Sequence, residues 1–338
     1  QGVGCRRLLR VKGDSGGNAG TPACRTFRGK GARDDRSLRS LPGVGLQARD
    51  SVTAGLDEAD VVICVGYDLV EFGPANWNPR MLKRIIHVDA RPAEVDQSYI
   101  PEVEIVAGVR ETLRALRAEL PAAPQPAYVA RLRVAVDTEL RAAGERAGVV
   151  SPQAAIAAIR RAMDPSDILI SDVGAHKLWL GRLFPAYEPN TVIVGNGFAS
   201  MGIALPGAIA ATLAVPERRV VAVSGDGGFL MNVQEMETAT RLAAPVTVVV
   251  WVDRAYGVIG WKQERRFGRT HAINFGNPDF ADLARAFGWS HRHAGDGPAL
   301  EAALGDAFAG GGPALITVPI DYRHNVRLAN LGEPSLSA

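Results

Sequence analysis

The chain has 338 residues, 47% of them hydrophobic and 22% charged, with a net charge of +2. That is enough apolar matter for a large core in two or three domains, and the near-balanced charge argues against nucleic acid or an acidic membrane surface as a general partner. No stretch reaches the roughly 18 apolar residues a membrane span needs, and the sparse, odd set Cys5, Cys24 and Cys64 argues against a disulfide framework or a zinc site and for a reducing compartment, with the cytoplasm as the expected location.

Residues 1–22 are rich in Gly and Arg, and no apolar run follows Arg6, Arg7 and Arg10. They are expected to be poorly ordered or an aberrant start, not a secretory signal. From residue 23 onward, apolar runs of strand length alternate with helical patterns. This predicts an α/β fold: two Rossmann-like domains with parallel sheets flanked by helices. Residues 59–66 and 84–89 read as buried strands, 103–106 as a short third strand, and 50–58 and 109–120 as helices. Together they make an incomplete central domain over 23–118.

Pro121, Pro124 and Pro126 among alanines mark a linker, and 119–150 is assigned to this linker and a helix over 128–145. Ser151 is placed to cap a helix over 152–163, with Pro152 at its first position. In the second domain, 151–330, strands are predicted at 167–172, 191–194, 219–224, 245–252 and 313–320, with a helix over 229–242. Residues 331–338 are a tail.

In parallel α/β sheets ligands bind beyond the carboxyl ends of the strands. Several polar or glycine-rich stretches fall there: Asp172-Val173-Gly174-Ala175-His176, Gly195-Asn196-Gly197, Gly225-Asp226-Gly227-Gly228 and Asp253-Arg254-Ala255-Tyr256-Gly257. Gly227 and Gly228 sit where a strand turns into a helix. Lacking Cβ atoms, they let backbone amides approach a phosphate, and a helix start favours an anion. Asp226 offers a carboxylate to a hard cation, and a right-handed crossover brings Asp253, at the end of the next strand, beside it. Two carboxylates and a phosphate-binding turn suit Mg²⁺ bridging a diphosphate. Alone, a Gly-Asp-Gly turn is weak, because turns use these residues constantly.

Taken together, Gly225-Asp226-Gly227, a helix, an apolar strand and then Asp253-Arg254-Ala255-Tyr256-Gly257 resemble the cofactor motif of thiamine-diphosphate (ThDP)-dependent enzymes. The stretch from Gly197 to Pro206, with Asp172 to His176, Val318 to Tyr322 and Trp261-Lys262-Gln263, is similar to members of the acetolactate synthase type. In the first half, Phe27-Arg28-Gly29-Lys30-Gly31, Gly45 to Asp50 and Val65-Gly66-Tyr67-Asp68 resemble that family's central domain. The likeness covers about residues 23–325.

This resemblance implies ThDP and Mg²⁺ as cofactors. Asp226 and Asp253 would bind the metal through side chains and Ala255 through its carbonyl. Gly227 and Gly228 amides and His176 would hold the diphosphate, with Gly174, Gly197, Gly225, Tyr256 and Gly257 around the cofactor. Met201 would be the bulky residue that bends the cofactor, and the Ala199 carbonyl would accept from its amino group. Tyr256 and residues 261–267 would line the substrate side, where Gln263 is the polar group. Met201, Ala199 and Gln263 are the candidates nearest the chemistry. The implied reaction decarboxylates pyruvate, or a related 2-keto acid, and adds the enamine to a second 2-keto acid.

There are departures. Asp253 stands where the family has Asn, and Lys262 where the biosynthetic branch has Trp. That leans toward a catabolic or uncharacterised branch, in which FAD is not expected. The family's activating glutamate belongs to a pyrimidine-binding domain, and no residue here takes its role. The chain is therefore expected to be a fragment or half of a split enzyme, inactive alone, with a homo-oligomer or a separate pyrimidine-binding domain as partner and no nucleic-acid or membrane partner. Other ThDP-dependent 2-keto acid decarboxylases or aldehyde lyases, and a non-catalytic cofactor-binding remnant, stay open. A plain NAD-binding protein is the weakest rival, since the first half lacks Gly-x-Gly-x-x-Gly after a strand.

Overall fold

The computed structural model describes residues 7–10, 22–37, 40–44, 55–119, 127–141, 148–323 and 325. The expected motif at 45–50, most of the expected helix at 50–58, the Pro-rich segment 121–126 and the tail 331–338 lie outside these residues. The chain divides into two compact units: 1–137 with 186–189 and 327–338, and 138–185 with 190–326.

In the first unit β1 (Arg7–Arg10), β2 (Ala23–Thr26), β3 (Ser40–Val44), β4 (Val61–Val65), β5 (Arg84–Asp89) and β6 (Val103–Val106) form one sheet in the order β3-β2-β1-β4-β5-β6. β4, β5 and β6 run parallel, as the apolar runs predict. β1 runs antiparallel to both neighbours, which makes this sheet mixed and places a strand within residues 1–22. Its register sets Leu8 opposite both Cys24 and Cys64, and those two cysteines are buried and form no disulfide.

Period-two alternation explains the two faces of β4. Val62 and Cys64 join Phe72, Trp77, Ile85 and Tyr99 in one core, which Tyr128 and Val129 of α2 (Ala127–Arg141) enter. Ile63 and Val65 face the other way, with Val88, and Val109 and Leu113 of α1 (Val109–Glu119) cover them.

The second unit holds β7 (Ile168–Ser171), β8 (Val192–Val194), β9 (Val220–Gly225), β10 (Val246–Val252), β11 (Ser290–His293) and β12 (Ala314–Pro319). All pairings are parallel, in the order β11-β12-β10-β9-β7-β8. β10 (VTVVVWV) is apolar almost throughout because helices bury both of its faces.

α3 (Pro152–Ala162) begins at the predicted cap, where the Ser151 side chain accepts from Ala154 N–H. With α4 (Ala175–Leu183) and α10 (Gly297–Gly310) it packs on one side of the sheet. On the other side α5 (Ala204–Ala214), α7 (Glu235–Arg241) and α9 (Phe280–Ala286) cover Ile168, Ile170, Val220, Ala222, Val246, Val248 and Val250.

The helix predicted over 229–242 is two helices, α6 (Asp226–Met231) and α7, and it starts earlier than expected. The break falls at Asn232, whose side-chain amide donates to the Gly202 carbonyl instead of lying on a helix face. α8 (Gly257–Phe267) follows β10 and ends at Gly268, φ +65°. Among the described residues no helix is long and apolar enough to cross a membrane.

The chain leaves β7 for β8 on one side and returns to β9 on the other. That reversal opens a crevice at the carboxyl ends of the strands, where parallel sheets place ligands.

Candidate functional site

Asp172, directly after β7, anchors the crevice without lining it. It is 1% exposed, and its carboxylate accepts from Val173 N–H (2.6 Å), Gly202 N–H (2.9 Å) and Ser224 Oγ–H (2.7 Å). One buried charge therefore ties the ends of β7 and β9 to the turn before α5, its oxygens satisfied as burial requires.

Asp226 opens α6 and is also 1% exposed. Its Oδ1 accepts from Gly227 N–H at 2.9 Å, and its Oδ2 accepts from Arg254 N–H and from Asn277 Nδ2, both at 2.8 Å. Asp253 follows β10 in the same cleft. Burial, and then the neighbouring Asp226 carboxylate, push its carboxyl up to about 7. Two desolvated carboxylates that repel each other are what a hard divalent cation stabilises. Among the described residues no group of three or more His, Cys, Asp or Glu could hold a metal, so a further protein ligand would come from a neutral oxygen, such as a backbone carbonyl or the buried, unpartnered Asn277 Oδ1. Ala255 lines the cleft with Asp253, and its carbonyl accepts from Gly257 N–H at 3.0 Å.

The glycine pair leaves no room for side chains. A Cβ on Gly227 would stand 2.9 Å from the Tyr256 ring and 3.0 Å from that of Phe275. One on Gly228 would stand 2.9 Å from Asp172 Oδ2 and 3.1 Å from Ser224 Oγ. The first turn of α6 thus lines the cleft without side chains at Gly227 and Gly228, a cradle for a ligand that must approach closely.

His176, 2% exposed, contributes a ring nitrogen, Nε2, that is buried without a partner. Its own burial lowers the imidazole to about 4, so the ring is neutral near pH 7. A buried polar atom with no partner asks for an explanation, and a polar ligand in the cleft supplies one.

The cleft is partly open to solvent. Of the residues the sequence singles out, Gly174, His176 and Met201 line it. So do Gly225, Asp226, Gly227 and Gly228 from β9 and α6, and Asp253, Ala255, Tyr256 and Gly257 from β10 and α8.

Three others stand outside the lining. Gly197 (φ +76°) and Ala199 (φ +51°) lie on the loop before α5, and Gln263 Oε1 accepts from His271 N–H at 2.7 Å, bracing the loop after α8. Ala199 and Arg254 (φ +57°) are non-glycine residues held in the left-handed region, at a cost of about 1 kcal/mol each, as are Met81, Asn190, Ala243 and Ala272, so this conformation alone does not mark the site.

The sequence reading misses four contributors. Asn277 holds Asp226, and Phe275 lies 4.9 Å from Tyr256, ring to ring. Both come from an irregular segment with no periodicity to flag it. Ile259 and Tyr322 line the cleft directly. Tyr322 was legible only as part of the Val318 to Tyr322 stretch.

Comparison with known proteins agrees with this geometry. The C-terminal TPP-binding domain of thiamine pyrophosphate enzymes matches residues 172–318, and their central domain matches 17–116. The acetolactate synthase of Bacillus subtilis (strain 168) is 35% identical over 280 residues, 81% of this chain and 49% of that protein. The catabolic acetolactate synthase of Raoultella terrigena is 36% identical over 320 residues, 91% of this chain and 56% of that protein. The acetolactate synthase isozyme 2 large subunit of Escherichia coli (strain K12) is 30% identical over 315 residues, 90% and 56%. The chain thus spans about half the length of the curated relatives it matches.

Proposed function

This chain belongs to the thiamine pyrophosphate enzymes and is acetolactate synthase-like, and from that premise we propose that it holds the diphosphate end of thiamine diphosphate and Mg²⁺ for a carboligase acting on pyruvate or a related 2-keto acid. The observation that carries this reading is the convergence of Asp226, Asp253, the Gly227–Gly228 backbone and the orphaned His176 Nε2 in one cleft. The donor set fits the group: hard oxygens for the cation, a bare backbone and an unpaired imidazole for the diphosphate.

In this assignment Asp226 and Asp253 bind Mg²⁺ through their carboxylates and Ala255 through its carbonyl. A bound cation would offset the burial and the Asp226 repulsion that raise Asp253. Asn277 and the Arg254 amide keep Asp226 oriented. Gly227, Gly228 and His176 hold the diphosphate, with Gly174, Gly225, Tyr256 and Gly257 closing around it. Met201, in the lining, would brace the cofactor, and the Ala199 carbonyl, with Gly197 near it in the chain, would accept from its amino group. When bound, the cofactor supplies the nucleophilic carbon and the electron sink; the chain's residues supply position and exclude water. Gln263 is kept as a substrate-side group that braces the loop beyond α8.

The partner is a pyrimidine-binding domain carrying the activating glutamate, or a second copy of the protein. FAD is not part of the reading. In the first unit the cleft at the ends of β4 and β5 sets Asp68, Asp89 and Glu94 against Arg91, a lining whose net negative charge suits a flavin diphosphate poorly. The buried Cys24 and Cys64, which form no disulfide, fit a cytoplasmic location.

The test is acetolactate formation from pyruvate with ThDP and Mg²⁺, for the chain alone and mixed with a separately produced pyrimidine-binding domain of a related synthase. The reading expects no turnover alone and turnover in the mixture. Turnover by the chain alone would overturn the assignment of the glutamate to a partner. A folded, cofactor-loaded mixture that decarboxylates no 2-keto acid would overturn the carboligase reading.

A further inference from the structure

Tyr322 lies just past the carboxyl end of β12, beside the cleft. Its ring sits 6.3 Å from that of Trp251, and it lines the cleft with His176, Asp226 and Asp253. Its phenolic oxygen is buried and closes no hydrogen bond of normal geometry. A phenol keeps its proton at neutral pH, so this hydroxyl is an O–H donor.

The backbone amide of His176 acts on this oxygen without closing a hydrogen bond. With an N–H on the oxygen's side, what the hydroxyl lacks is an acceptor for its hydrogen. The Asp226 oxygens are already engaged by Gly227, Arg254 and Asn277. Packing against Trp251 needs only the ring, which phenylalanine would provide. Leaving the hydroxyl unpaired destabilises the fold, and native hydroxyls of this kind nearly always have partners. A second unpaired atom, His176 Nε2, lies in the same lining. Tyr322, just past β12, and His176, in α4, thus each bring an orphaned polar atom to residues that line the cleft with the paired carboxylates.

We propose that Tyr322 is a positioning residue for the diphosphate end of the cofactor, its hydroxyl donating to a diphosphate oxygen beside His176. This rests on the reading of the cleft as a thiamine diphosphate site, and it adds an anchor from β12 to those from β9 and β10. The acceptor is an anionic oxygen and not a ring atom, because the neighbours of Tyr322 are the residues of the metal and glycine turn.

The experiment uses the full chain and Tyr322→Phe. Dissociation constants for thiamine diphosphate and for inorganic diphosphate, each with Mg²⁺, are read from intrinsic tryptophan fluorescence, for which Trp251 is a local reporter. Melting of the ligand-free proteins is recorded in parallel. A hydrogen bond to a charged group predicts about 10- to 100-fold weaker binding of both ligands by Tyr322→Phe, with ligand-free melting unchanged or raised. Wild-type affinity in Tyr322→Phe would overturn the anchor while leaving the cofactor site intact, as would a lowered ligand-free melting point with unchanged affinity, which marks a purely structural hydroxyl. Loss of thiamine diphosphate binding with inorganic diphosphate unaffected would also overturn it, by moving the contact off the diphosphate. Failure of the folded wild-type chain to bind either ligand would overturn the site reading itself.

Discussion

Gly228→Ala is the most demanding small perturbation this site offers. Gly228 lies in α6 with no positive φ, so alanine is allowed by the backbone and, by helix propensity alone, would gain about 1 kcal/mol. The contact decides the sign. The new methyl carbon would stand 2.9 Å from Asp172 Oδ2 and 3.1 Å from Ser224 Oγ, closer than carbon and oxygen pack. Asp172 is held from retreating by Val173 N–H and Gly202 N–H on one side and by Ser224 Oγ on the other. The helix start must therefore move outward, into the space assigned to the diphosphate. Overpacking of this kind costs about 1 to 3 kcal/mol net, which for a unit of this size lowers the melting temperature by about 2 to 10 °C. Affinity for thiamine diphosphate with Mg²⁺ should fall by about tenfold or more, measured by isothermal titration calorimetry. A variant that melts and binds like wild type would refute the claim that the glycine turn is close-packed against Asp172 and fitted to the ligand.

Other outcomes follow from the same structure. Gly305 lies exposed inside α10, and a Cβ there would meet nothing within 4 Å, so Gly305→Ala should stabilise by about 1 kcal/mol, read as a higher urea midpoint; a loss of stability would contradict the open space there. His176 titrates near 4 in the fold against 6.5 unfolded, so between those values the unfolded chain binds more protons and stability falls as pH drops from 6.5 toward 4, by on the order of 3 kcal/mol. Asp253, raised to about 7, works in the opposite direction, so the difference between wild type and His176→Gln across pH 7 to 4.5 is the quantity to measure; equal acid slopes would show that His176 is not buried neutral.

Much of the second unit was legible because its strands are apolar on both faces and its turns carry distinctive residues. β9 and β10 run into Gly225–Gly228 and Asp253, and the parallel order alone brings those ends together. The reading failed where tertiary contacts overrule local pattern. β11 (SHRH) is a polar edge strand paired only with β12, so it carries no apolar signal. β1 (RLLR) is four residues long and set in Gly-rich and Arg-rich sequence. α6 and α7 are split by one side chain, Asn232, bonding across to Gly202. Asn277 and Phe275 reach the site from an irregular stretch that bridges back to Ala255 through Asn274, a contact no periodicity announces. Tyr322 looked like the end of a strand motif, and only the burial of its hydroxyl marks it as more.

The central claim is that Asp226 and Asp253 hold a cation that carries the diphosphate. The direct test titrates thiamine diphosphate into the folded chain by calorimetry, with Mg²⁺, with EDTA, and with Mg²⁺ against Asp226→Asn, which preserves shape while removing charge. The account predicts binding only in the first case. Equal affinity in EDTA or in Asp226→Asn, or no binding by folded wild-type protein with Mg²⁺, would contradict it.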